Sequence, residues 1–162
     1  MTTSRFSRFA FLLVAAILFT VSVASAAGPY QFFSVTPCRI ADTRGNGFTG
    51  LSGPPALAAG SPRSFPVAGL CGLPAGANAP AAVALNVTVV GPSKDGFLQI
   101  WPFNSPIPGV STLNFSAGEP AIANGAIVPL GSDATFQISV VYGTATPGGS
   151  SNLILDVTGY FK

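Results

Sequence analysis

Val83-Ala84-Leu85-Asn86-Val87-Thr88-Val89-Val90 alternates its side chains at period two, with Leu85, Val87 and Val89 on one face and Asn86 and Thr88 on the other. A pleated strand repeats every two residues, so this stretch predicts a half-buried β-strand. Two later stretches follow the same rule. Thr135 to Tyr142 sets Phe136, Ile138, Val140 and Tyr142 against Gln137 and Ser139, and Asn152 to Phe161 sets Leu153, Leu155, Val157 and Phe161 against Asp156 and Thr158.

Shorter strands are predicted at Tyr30 to Val35, Arg63 to Val67, Gly96 to Trp101, Thr112 to Phe115 and Ala121 to Leu130. Between them lie Gly91 to Gly96, Pro106-Ile107-Pro108-Gly109, Gly118-Glu119-Pro120 and Gly131-Ser132-Asp133, which carry the Gly, Pro and Asp chemistry of turns. No segment after residue 27 holds a helical period. About eight short strands at this spacing predict an all-β fold, a single antiparallel β-sandwich or jelly-roll-like domain, with a small barrel as the other closed solution. Gly45 to Pro62 fits no strand and has the composition of a flexible linker loop.

Ahead of this domain, Arg5 and Arg8 precede an apolar run from Phe9 to Ala24, followed by Ala24-Ser25-Ala26 and the helix-breaking Gly28-Pro29. Basic, apolar and small segments in that order are expected of a secretory signal peptide, residues 1–26, leaving a secreted domain over residues 27–162. Its removal takes away two of seven basic residues and leaves five against five acidic ones, so the domain is formally neutral. No basic surface then argues for nucleic acid, and no segment argues for membrane insertion after cleavage. In the oxidising compartment so implied, Cys38 and Cys71 are expected to form one disulfide.

Val35-Thr36-Pro37-Cys38-Arg39-Ile40-Ala41-Asp42-Thr43-Arg44 gathers three charges and a cysteine in a chain with only 7% charged residues. It has no obvious catalytic partner. Histidine is absent, which excludes Ser-His and Cys-His nucleophiles and His-ligated metals, and there is no phosphate-binding glycine loop. Asp95, Glu119 and Asp133 sit in turns, and no run of alternating oxygen ligands suggests calcium. No catalytic residues, metal or cofactor are therefore expected. Asp42 and Asp156 lie outside simple turns, and an acid on the apolar last strand needs a partner. Arg39 or Arg44 is expected to pair with Asp42 or Asp156, either as a structural clasp or as a polar site for a sugar or carboxylate. Trp101 and Phe103, flanking Pro102, are a second candidate: a sugar-stacking platform or a cap on the core.

The chain resembles a family of secreted bacterial β-rich domains of largely uncharacterised function that opens on Thr-Pro-x-Arg-x-x-Asp-Thr-Arg, here Thr36 to Arg44. Similar stretches are Leu85 to Thr88, Ser111 to Phe115, Ala123 to Gly131 and the closing Asp156-Val157-Thr158-Gly159-Tyr160-Phe161. The resemblance covers nearly all of residues 27–162 and implies one β-domain without known catalytic residues. The resulting expectation is a non-enzymatic secreted or cell-surface structural or adhesive domain. In its sharper form Tyr30, Phe32 and Val35 join a neighbouring subunit's sheet, making a homo-oligomer. The alternative is a carbohydrate-binding module with a glycan partner.

Overall fold

The computed structural model describes residues 29–162, so the expected signal peptide lies outside the described residues. The described chain is nearly all β and forms two antiparallel sheets. Its strands are β1 (Phe32–Asp42), β2 (Leu57–Ala58), β3 (Arg63–Phe65), β4 (Ala82–Val90), β5 (Gly96–Pro102), β6 (Leu113–Phe115), β7 (Ala121–Pro129), β8 (Ile138–Gly143) and β9 (Ser150–Phe161). The first sheet runs β1-β9-β4-β7, with β2 also on β9, and the second runs β3-β8-β5-β6. This is a β-sandwich.

The alternation of β4 is realised residue by residue. Val83, Leu85, Val87 and Val89 are buried, and the residues between them are half-buried. Leu153, Leu155 and Val157 of β9 join them and meet Phe65, Leu98, Ile138, Val140 and Tyr142 of the second sheet. Each such side chain contributes about 2 kcal/mol by leaving water, enough to make the paired inner faces the dominant stabilising element.

Three expectations need correction. The sequence predicts an N-terminal strand over Tyr30 to Val35, but β1 starts at Phe32 and continues through the charged motif to Asp42. Irregularities between Ser34 and Cys38 and between Arg39 and Ala41 let it stay in register with β9, from Phe32 opposite Phe161 to Asp42 opposite Ile154. The segment 45–62, expected to be strandless, carries β2, where Leu57 is buried and pairs with Ser151. The polar face of Thr135 to Tyr142 is expected to be half-buried, yet Ser139 of β8 and Gln137 just before it are both buried, as is Val141 on the same face. Thr135 and Phe136 fall before β8, because their N–H groups both donate to Asp133 Oδ1 and form a turn.

Candidate functional site

The charged motif sits where β1 meets β9. Antiparallel register puts Arg39 opposite Asp156, and Asp156 also lies opposite Asn86 of β4, so the three side chains share the face turned away from the core. Arg39 bridges both aspartates. Its Nε and Nη2 donate to Asp156 Oδ1 and Oδ2 at 2.7 and 3.2 Å, and its Nη1 donates to Asp42 Oδ2 at 3.1 Å.

Asp42 is fully buried and accepts five hydrogen bonds. Arg44 supplies three, from its backbone N–H and Nε to Oδ1 and from Nη2 to Oδ2 at 2.7 Å; Asn46 Nδ2 and Arg39 supply the others. The Arg44 guanidinium holds the Asp42 carboxyl well below the usual carboxylate range, against the opposing effect of burial. In return Asp42 raises the pKa of Arg44, as Asp156 chiefly does for Arg39. Between the two charges, Thr43 extends the ladder: its hydroxyl accepts from Leu153 N–H at 2.8 Å and its own N–H donates to Leu153 O. Every polar residue of Asp42-Thr43-Arg44 thus fastens the chain to β9 or to the turn that follows.

Cys38 and Cys71 form a disulfide, with their Cα atoms 5.9 Å apart. It ties the motif to the turn at residues 69–72. Trp101 is not brought to the clasp: it lies on the second sheet opposite Ser139 and is only 6% exposed, so its indole offers no open face for stacking. Phe103 is half-buried against Phe136, with ring centroids 5.4 Å apart. Among the described residues no cluster of His, Cys, Asp or Glu could hold a metal ion.

Three residues escaped the sequence reading. Gln137 Oε1 accepts from the N–H groups of Val67 and Ala68 at 2.7 and 3.0 Å, while its Nε2 donates to Asp133 O. Arg63 donates to the carbonyl oxygens of Leu51, Gly53 and Pro55 and stands 5.1 Å from the Phe65 ring centroid, so one cation gathers the loop 45–62. Asn86 completes a shallow concavity of about 480 Å³ with Pro37, Cys38, Arg39, Asp156 and Thr158. The rarity of charge was a usable signal for Arg63; an amide within an alternating strand gives none.

No protein-family model, curated protein or solved structure matches this chain.

Proposed function

We propose that this is a non-enzymatic, secreted or cell-surface β-domain that acts as a structural or adhesive building block. The observation that carries the reading is the mutual pairing of Arg39, Asp42, Arg44 and Asp156: the densest charge in the domain is used to hold β1 against β9. A disulfide beside that cluster is compatible with an oxidising, extracellular setting, as are the signal-like residues 1–26 and the resemblance carried by Thr36 to Arg44.

An assembling role is supported by the surface. Tyr30, Phe32 and Phe33 are exposed at the start of β1, and Ile127 is exposed on β7. Residues 32–34 pair with 159–161 of the same chain, and β1 is the edge strand of its sheet, so its other side is available to a second copy. The test is the solution mass of the chain from residue 27 onward, beside the chain lacking residues 27–35. We expect an oligomer that the deletion returns to monomer; monomers in both samples end the assembly form of the reading.

A further inference from the structure

We propose that the outer face of the first sheet carries a binding site for an uncharged saccharide, centred on Asn86 and Asp156 and flanked by the Phe32 ring. The site arises from the irregular pairing of β1. Between Ser34 and Cys38 the strand advances four residues while β9 advances only from Gly159 to Val157, and the resulting bulge opens the concavity bounded by Pro37, Arg39, Asn86, Asp156 and Thr158. Bulges commonly re-aim side chains around functional sites.

The groups lining it retain hydrogen-bonding capacity. Each Asp156 oxygen accepts one bond from Arg39 and keeps a further lone pair. Asn86 donates one N–H to Thr88 Oγ1, and its carbonyl oxygen has no partner among the described residues. The Thr158 hydroxyl donates to Ala84 O and can still accept. Donors and acceptors side by side suit hydroxyl groups, which both give and take a hydrogen bond.

Charge defines the ligand class. Arg39 and Arg44 are balanced by Asp42 and Asp156, so the cluster presents ionic hydrogen-bonding groups without a net charge to recruit an ion. A neutral polyhydroxyl ligand fits that balance; a carboxylate or phosphate would meet Asp156. The aromatic flank supplies the apolar half of sugar recognition. Phe32 is 53% exposed, rests 5.1 Å from the Phe161 centroid, and reaches over Gly159, where a Cβ would come within 2.4 Å of its ring. Glycine at that position leaves room for the ring against the sheet, where its free face can stack on the C–H face of a sugar. Gly159 is three residues from Asp156, up to about 10 Å along a strand, a span suited to a disaccharide.

The site shares Phe32 with the assembling surface proposed above, so sugar binding is read beside solution mass, and either reading can fail while the other stands. The probes are uncharged cello-, xylo-, malto- and chito-oligosaccharides, titrated calorimetrically into the folded chain, with a sulfated polysaccharide as the anionic comparison. At least one neutral member is expected to bind saturably. Phe32→Ala and Asn86→Ala should each weaken it about tenfold, while Phe32→Tyr and Val110→Ser, the latter in the β5–β6 connection of the second sheet, retain it, all with unchanged circular dichroism. Absence of saturable binding across the panel overturns the proposal, as does binding that both alanine variants leave intact, or preference for the polyanion.

Discussion

Asp42 and Gln137 are both buried polar residues that hold chain lying outside the sheets, but they do so with different chemistry. Asp42 collects two guanidinium groups, an amide and a backbone N–H around one negative charge. Gln137 is neutral: its amide accepts from the backbone at Val67 and Ala68 and donates to the backbone at Asp133. The disulfide joins the two regions, since Cys38 adjoins Arg39 and Cys71 follows the turn that Gln137 holds. A charged hub depends on pH and announces itself in sequence. A neutral amide hub does neither.

The comparison breaks most visibly at Asp42. Asp42→Asn leaves two arginines facing an uncharged amide, and urea unfolding should report a loss of about 3 kcal/mol, the lower end for a broken buried pair. The lower end applies because the arginine side chains are 37% and 35% exposed. Unchanged stability would mean the clasp is not structural. Acid sharpens the result. Because the native Asp42 pKa is depressed, its contribution is complete above its unfolded pKa of about 4 and is lost as pH falls towards the native value. The gap between wild type and Asp42→Asn should therefore narrow below about pH 4.

Gln137→Leu comes next, at about 2 kcal/mol, because it strands the buried N–H of Val67 and the half-buried N–H of Ala68 while restoring some apolar contact. Its gap from wild type should stay level from pH 7 to pH 3, and a gap that closes in acid would contradict the assignment of a neutral hub. The smallest effect is expected at Arg63→Met. Loss of its carbonyl contacts should cost about 1 kcal/mol and raise amide exchange across residues 50–58; unaltered exchange there would show that the loop holds itself.

Much of the sandwich was legible in sequence because β4 buries one face and period two records that directly; in β9 Leu153, Leu155 and Val157 follow the rule, but Ile154 is buried too and a register shift against β4 packs Tyr160 rather than Phe161 on the core. β2 was not, since its single buried apolar residue, Leu57, is placed by pairing with Ser151 far along the chain rather than by local pattern. Arg39, Asp42, Arg44 and Asp156 stood out as charges in an uncharged chain, although which arginine met which aspartate depended on register. Gln137 looked like an outward polar residue of an alternating strand. It is buried where it bonds the backbone of Val67, Ala68 and Asp133, contacts set by chain far from its own strand pattern.

The position of β9 has a consequence for how the molecule is made. Residues 150–161 lie between β1 and β4 and also receive β2, so the first sheet has no centre until they are present. A nascent chain that has reached residue 149 can build neither the β1–β9 nor the β4–β9 ladder, however long it waits. The first sheet therefore closes only once residues 150–161 are present, through pairings as distant as Phe32 with Phe161. Until β9 arrives, β1 and β2 have no ladder to join, whereas β4 with β7 and the second sheet, β3-β8-β5-β6, already have their partners.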